Sequence, residues 1–101
     1  MPDLKRDDLL HRLIGLRPTF EKDGVVHLAL FGSRARQDNR HDSDVDVMIE
    51  VDASKTFSML DLVGVGHTIE DNVGLPANVF MRRSLDPNFL KSAENDLIQV
   101  F

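Results

Sequence analysis

The sequence has no cysteine, no long apolar run and no excess of positive charge. Without cysteine, the chain has neither a disulfide framework nor a cysteine-ligated zinc site, which fits a reducing compartment. Its longest apolar stretches, Val25–Phe31 and Val45–Val51, contain polar residues and are much shorter than the ~20 residues that a membrane helix needs. A net charge of −5 argues against a module that holds nucleic acid through bulk positive charge, so we expect no direct nucleic-acid binding.

The composition is that of a small folded domain. The 101 residues are 42% hydrophobic, which is enough for a core. Because domains usually contain about 100–150 residues, we expect one domain over residues 1–101. The acidic N-terminus is not followed by an apolar block, so we expect no secretory signal and a cytoplasmic location.

Hydrophobic patterning predicts three strands rich in β-branched and large apolar residues. They are expected at Val25–Phe31, Val45–Val51 and Ala77–Met81. A helix capped by Asp3 is expected before the first strand, and Pro18 breaks it near Leu16 and Arg17. A further short helix from Ser33 to about Gln37 is expected in the long connection between the first two strands.

Two more helices are expected around the third strand. One covers residues 56–72, and we expect its apolar stripe to belong to the core rather than to a partner surface. That stripe consists of Phe57, Met59, Leu60 and Val63. The other begins at Asp86 and Pro87, a capping carboxylate followed by proline, and is expected to continue through Leu97 and Ile98. The order α-β-α-β-α-β-α predicts an α/β or α+β domain with helices covering the sheet.

One motif between the first two strands carries chemistry. It reads Gly-Ser, ten residues, then Asp-x-Asp, at Gly32, Ser33, Asp44 and Asp46. Gly32 allows another molecule to approach the backbone, and Ser33 begins a helical turn that favours an anion such as phosphate. Since side chains at i and i+2 of a strand share a face, Asp44 and Asp46 point to one spot. Two such carboxylates suit Mg²⁺ bound together with substrate phosphates, so the motif predicts a nucleoside triphosphate site.

Two other interpretations of this segment explain less. A polar turn at Asp42–Asp44 does not account for Asp46 inside an apolar strand. A calcium loop counted from Asp38 would need glycine at its sixth position and glutamate at its twelfth, where this chain has Ser43 and Ile49. The nucleotide site therefore stays the favoured interpretation.

At these residues the sequence resembles the minimal nucleotidyltransferase family of the polymerase-β-like superfamily, most specifically over Leu30–Val51. The resemblance implies a three-stranded mixed sheet flanked by helices, and Mg²⁺-dependent transfer of a nucleotidyl group, expected to be AMP from ATP. It implies that the nucleotide is bound by Gly32, Ser33, Arg34 and Arg36, and that the catalytic metal ligands are Asp44 and Asp46. For the two arginines a surface salt link is an equal alternative, since one of them must point away from the site.

The resemblance also implies a partner. Small proteins of this kind are typically antitoxins paired with a HEPN-domain toxin, an RNase, and some silence it by adding AMP to one of its tyrosines. We therefore expect a hetero-oligomer with a HEPN-type protein and no membrane association. The acceptor of the nucleotide would be a hydroxyl on that partner.

One position departs from the family pattern. Active members often carry a third carboxylate on the third strand, where this chain has Asn78. An asparagine can lend a carbonyl oxygen to a metal, but it cannot act as a base at neutral pH. Two hypotheses follow: an enzyme that works with two carboxylates, or an impaired module of the same fold that neutralises its toxin by occlusion. If the alignment of the third strand slips, Glu50 is a possible substitute carboxylate: it is on the same strand face as Asp46 but about 13 Å further along.

Overall fold

The sheet and its helices are seen in a computed structural model that describes residues 4–101, so the cap expected at Asp3 lies outside the described residues. The helices are α1 (Arg6–Gly15), α2 (Arg17–Lys22), α3 (Ser33–Arg36), α4 (Met59–Val73) and α5 (Pro87–Glu94). The strands are β1 (Val25–Phe31), β2 (Val45–Val51), β3 (Ala77–Met81) and β4 (Ile98–Gln99). A single 3₁₀ turn, Arg82–Ser84, follows β3. Over this part of the chain, no helix has the length and apolar character that a bilayer crossing requires.

The strands form one mixed sheet in the order β3-β2-β1-β4. β1 is antiparallel to both β2 and β4, whereas β2 and β3 are parallel. The register places Phe31 opposite Asp46, and Asp46 opposite Asn78. The C-terminal end of β1 and the N-terminal ends of β2 and β3 therefore lie side by side at one end of the strands, and the motif lies there.

The two faces of the sheet are covered unequally. One face packs against α1, α2 and α4 in the main core, to which β2 contributes Val45, Val47 and Ile49. The other face carries a smaller cluster, in which Phe31 and Met48 pack against Ala93 of α5. Because strand side chains alternate between faces, Asp46 shares the α5 face with Met48. The motif carboxylates thus lie outside the main core.

The predicted architecture of helices flanking a mixed sheet is confirmed, and so are the bounds of the first three strands. The break at Leu16 is also confirmed, as is the cap by Asp86, whose side chain accepts from the Asn88 backbone N–H at 2.7 Å. The predicted strand count was wrong, because Ile98 pairs with Leu30 in a fourth strand. A strand of two residues has no periodicity to reveal it.

The last two helices also differ from the prediction. α5 ends at Glu94, so Leu97 and Ile98 lie beyond it. α4 begins at Met59 rather than at residue 56, because Ser58 and Asp61 form a reciprocal capping box that fixes its start.

The apolar stripe at the start of α4 is not core. Its exposed members are Met59, Leu60 and Val63, with relative exposures of 73%, 83% and 47%. α4 buries Val65 and Ile69 against the sheet, which turns Leu60 and Val63 outward on a helix of 3.6 residues per turn. Only Phe57, which precedes the helix, packs against the core. The expectation of a buried stripe was therefore wrong.

Candidate active site

Asp44 and Asp46 are brought together at the start of β2, as the i, i+2 spacing predicted. The Asn78 side-chain nitrogen Nδ2 donates to Asp44 Oδ2 at 3.0 Å and to Asp46 Oδ1 at 3.0 Å. Since one atom lies this close to both groups, the two carboxylates converge on a single point. Asn78 reaches this point because it is the register partner of Asp46 on the parallel neighbouring strand.

Gly32 fits tightly against the carboxylate of Asp46. Its φ is +78°, in the left-handed region, and a Cβ placed on it would lie 2.6 Å from Asp46 Oδ2. A side chain is therefore excluded by strain and by contact. The carbonyl of Gly32 accepts from the N–H groups of Ala35 and Arg36 at 3.1 Å, so the same residue starts α3 with Ser33.

A cleft of about 350 Å³ opens on the β1 side of the carboxylates, and we call it the β1–α5 cleft. Its first wall consists of motif residues and the end of β1: Phe31, Gly32, Ser33, Arg36 and Asp46. Its second wall comes from α5 and the residues after it: Phe89, Ser92, Ala93 and Asp96. Sequence reasoning missed this second wall, because a helix start reveals neither the sheet face nor the strand against which the helix packs.

Arg36 lies at the rim of the β1–α5 cleft. Its guanidinium donates to Asp38 Oδ2 at 3.0 Å and to Asp96 Oδ2 at 2.9 Å. The hydrogen bond to Asp38, followed by that to Asp96, raises the pKa of Arg36 above its ordinary value. A fixed positive charge therefore stands beside the cleft, and the expected contact of Arg36 with nucleotide stays a prediction.

Arg34 does not line the cleft, and its predicted contact with nucleotide is wrong. Its side chain is 2% exposed and donates to the backbone carbonyls of Ser43 at 2.9 Å, His41 at 3.1 Å and Leu4 at 3.2 Å. A buried cation needs such acceptors, and those of His41 and Ser43 are main-chain groups of the loop before Asp44. Arg34 therefore positions the loop, and it is the one of the two motif arginines that points away from the site.

A second opening lies on the other side, and we call it the β3–α4 groove. It also measures about 350 Å³. Its walls are formed by Leu62, Val63, Gly66, His67 and Glu70 of α4, and by Ala77, Asn78, Val79 and Phe80 of β3. Asn78 therefore belongs both to the groove and to the contact with the two carboxylates. The cleft and the groove flank β2 from opposite sides.

In the part of the chain that the structure describes, Asp44 and Asp46 are joined by no third carboxylate. Within residues 4–101, no group of three or more histidine, cysteine, aspartate or glutamate side chains is placed to hold a metal. Glu50 lies four residues along β2 from Asp46, about 13 Å at the usual rise per residue, with its carboxylate 3.9 Å from Arg82. The suggested substitution by Glu50 is therefore wrong, and Asn78 holds the third position.

Comparison with known proteins places the chain. Residues 13–100 match the family model described as a nucleotidyltransferase domain. A candidate protein adenylyltransferase of Methanocaldococcus jannaschii is 35% identical over 81 residues, which cover 79% of this chain and 81% of that protein. The protein adenylyltransferase MntA of Thermococcus cleftensis is 30% identical over 80 residues, which cover 79% of each chain.

Solved structures share the fold. A structure described as a candidate minimal nucleotidyltransferase superposes with a TM-score of 0.78 at 24% identity, and the match covers 93% of this chain and 94% of that one. An MNT antitoxin in complex with a tri-AMPylated HEPN toxin of Shewanella oneidensis gives a TM-score of 0.69 at 12% identity, covering 95% and 71%. The solved structures show that this chain has the fold of a minimal nucleotidyltransferase. From the family match and the two relatives, we conclude that the chain belongs to the nucleotidyltransferase domain family and is a transferase.

Proposed function

We propose that the protein transfers AMP from ATP to a hydroxyl on a partner protein, and that the partner is a HEPN-domain toxin. The observation that carries this proposal is the convergence of Asp44 and Asp46 beside Gly32, at the mouth of the β1–α5 cleft. The names of the relatives, which are protein adenylyltransferases, support the reaction. The structural neighbours described as toxin–antitoxin complexes support the partner, and a cytoplasmic location belongs to the same proposal.

In this proposal ATP binds in the β1–α5 cleft. Ser33 offers a hydroxyl, and the remaining N–H donors of Arg36 suit phosphate oxygens, because Asp38 and Asp96 already fix its guanidinium. Phe89 offers an apolar surface for the base, since it is 43% exposed and its ring packs 6.0 Å from that of Phe31. The cleft thus has a polar side toward the carboxylates and an aromatic side on α5.

The proposal includes Mg²⁺ at the carboxylates. Two converging carboxylates are the hard oxygen donors that this ion prefers, and it usually binds one or two of them together with substrate phosphates, so the residues present fit it. When bound, Mg²⁺ supplies positive charge that stabilises the attacked phosphate and the departing pyrophosphate. Asp44 and Asp46 would hold the ion, and Asn78 would position them.

The reaction forms a bond between the acceptor oxygen and the α-phosphorus of ATP, and breaks the bond from that phosphorus to the bridging oxygen of the leaving pyrophosphate. The acceptor hydroxyl loses its proton in this step. Asn78 cannot take the proton because an amide is not a base at neutral pH. Asp44 and Asp46 are the basic groups within reach of the converging point.

The direct test combines the protein, the HEPN-type protein encoded beside it, Mg²⁺ and ATP labelled at the α-phosphate. We expect label on the partner with the wild type, and none with Asp44→Ala/Asp46→Ala. Glu50→Ala is the matched control, since it removes a carboxylate from the same strand face away from the site, and we expect it to transfer label normally. Label that persists in the double variant would refute this reaction.

The contact of Asn78 with both carboxylates favours a second candidate function. Its amide N–H group lies where a cation would have to bind, and it supplies no negative charge. In that case the protein neutralises its toxin by covering it, and Asp44→Ala/Asp46→Ala would still rescue growth of cells that express the toxin. Loss of rescue by a folded double variant would rule out this alternative.

A further inference from the structure

We propose that the open edge of β3 binds an extended segment of the acceptor protein as an added strand, with the acceptor side chain beside Asn78. This inference rests on the proposed transfer to a partner protein and names the surface that receives it. Among the strands of residues 4–101, β3 ends the sheet, and only β2 pairs with it.

The hydrogen bonding of β2 and β3 shows which β3 amides face outward. The Val45 N–H donates to the Pro76 carbonyl at 2.8 Å, and Val45 is the register partner of Ala77. In a parallel pair of strands with this hydrogen-bonding pattern, the N–H groups of Asn78 and Phe80 point toward β2. The N–H groups of the alternate residues, Ala77, Val79 and Met81, therefore point to the open edge.

A contact of Glu70 independently supports this assignment of outward-facing N–H groups. The Ala77 N–H donates to Glu70 Oε2 at 3.0 Å, so this backbone group faces away from β2. The next outward amides are those of Val79 and Met81, with the carbonyls between them. Such a row of backbone groups is a template for a peptide strand, and peptide recognition by strand addition uses it.

The register of an added strand brings its side chains to the active site. A residue opposite Asn78 would share its sheet face, with Cβ atoms about 4.5–5.5 Å apart. Asp46 is the neighbour of Asn78 on the inner side, so the added residue would lie two strand spacings, about 9–10 Å, from β2. A hydroxyl on a long side chain is needed to span that distance.

The groove wall sets the chemistry of the segment. On the α4 side it offers the half-exposed Val63, and α4 packs closely on β3 at Gly66, where a Cβ would be in ordinary contact with a Val79 methyl at 3.6 Å. Glu70 lines the groove beside Ala77, and Asp44 contacts Asn78, so the end of the groove near the start of β3 is negative. The segment that fits is therefore apolar toward α4 and carries a basic residue near Glu70.

Residue-resolved amide hydrogen exchange tests the added strand directly. In the complex with the co-encoded HEPN-type protein, we expect the Val79 and Met81 amides to exchange about tenfold or more slowly than in the free protein. The Asn78 and Phe80 amides should be protected in both states, because they are bonded to β2. Unchanged exchange at Val79 and Met81 would overturn the proposal. Protection in the free protein that increases with its concentration would instead assign the edge to a second copy of this chain.

A matched pair of variants tests the groove wall by a different measurement. Val63→Lys places a charge in the groove, and Val26→Lys places one on a valine of similar exposure on β1, 42% against 47%. We expect Val63→Lys to raise the KM for the acceptor about tenfold and to leave the KM for ATP unchanged. Equal effects of the two variants would overturn the assignment of this surface. If the wild type transfers no label to the partner, the proposed function fails, whereas transfer without edge protection refutes only the docking.

Discussion

The β1–α5 cleft and the β3–α4 groove flank the same carboxylates but are built differently. In the cleft, Arg36 is tied to Asp38 and Asp96, so the charged groups are already oriented by bonds within the chain. The groove has apolar side chains and an open strand edge, whose hydrogen-bonding groups face outward. The charged groups of the cleft are thus oriented by this chain itself, whereas we propose that the groove is completed by a second protein.

Asn78 is the point at which the two openings meet. It lines the groove and donates to Asp46, which lines the cleft. Changes on the cleft side should therefore affect the nucleotide, changes on the groove side the acceptor, and changes at Asn78 both. The following four predictions test this division.

Gly32→Ala should damage the cleft most. The added methyl would meet Asp46 Oδ2 at 2.6 Å, on a backbone with positive φ, so we expect a loss of about 3 kcal/mol in the free energy of unfolding and loss of ATP binding. Gly74→Ala is the control, since φ is +75° there but no atom lies within 4 Å of the added Cβ. Urea unfolding and titration with an ATP analogue measure both quantities. ATP binding that survives Gly32→Ala would break the assignment of the cleft to the nucleotide.

Arg34→Ala and Arg36→Ala should separate two roles within one motif. Removal of the buried Arg34 leaves the carbonyls of His41 and Ser43 without their donor, and we expect a loss of about 2–3 kcal/mol in stability. Arg36→Ala removes two exposed ion pairs and should cost much less stability than Arg34→Ala, while it raises the KM for ATP. Thermal unfolding and steady-state kinetics check the pair. Similar stability losses in both variants would contradict the assignment of Arg34 to the loop and of Arg36 to the nucleotide.

Asn78→Asp changes the group shared by the two openings. A third carboxylate beside Asp44 and Asp46 should destabilise the metal-free protein by about 2 kcal/mol, from about 1 kcal/mol of repulsion per neighbour in water. Mg²⁺ should then raise the Tm more in this variant than in the wild type or in Asn78→Ala. Melting curves in EDTA and in Mg²⁺ measure the effect. Equal Mg²⁺ responses in all three proteins would show that this position does not face the ion.

Phe89→Ala should have the smallest effect and should be limited to the cleft. The half-exposed ring contributes aromatic contact, so we expect the KM for ATP to rise about fivefold, equivalent to about 1 kcal/mol, with the KM for the acceptor unchanged. Phe89→Leu keeps an apolar side chain without the ring, so its KM for ATP should lie between those of the wild type and Phe89→Ala. A change in the KM for the acceptor alone would show that Phe89 contacts the acceptor rather than the nucleotide.

The sequence allowed prediction of those parts that depend on local chemistry. β1, β2 and β3 have their predicted bounds because each is a run of apolar residues delimited by polar or turn residues. The convergence of Asp44 and Asp46 followed from strand alternation alone. The position of Asn78 beside them depends on the parallel register of β2 with β3, which no local pattern encodes.

Other features depend on tertiary packing and were missed for that reason. Arg34 and Arg36 have the same local chemistry, and only the path of the later loop decides which one is buried. Leu60 and Val63 have the spacing of a core stripe, yet the part of α4 that meets the sheet begins further along the helix. Helical periodicity indicates that an apolar face exists but not what covers it.

The side chain of Arg34 begins one residue after Ser33, and its guanidinium ends on the carbonyl of Ser43, directly before Asp44. It therefore connects the Gly32-Ser33 part of the motif to the part that contains Asp44 and Asp46. The ten-residue interval from Ser33 to Asp44 is consequently a fixed length, set by the reach of one side chain, rather than a free linker. A residue inserted or deleted there would shift the carbonyls away from the guanidinium and move Asp44 relative to Ser33, without altering any of the motif's own residues.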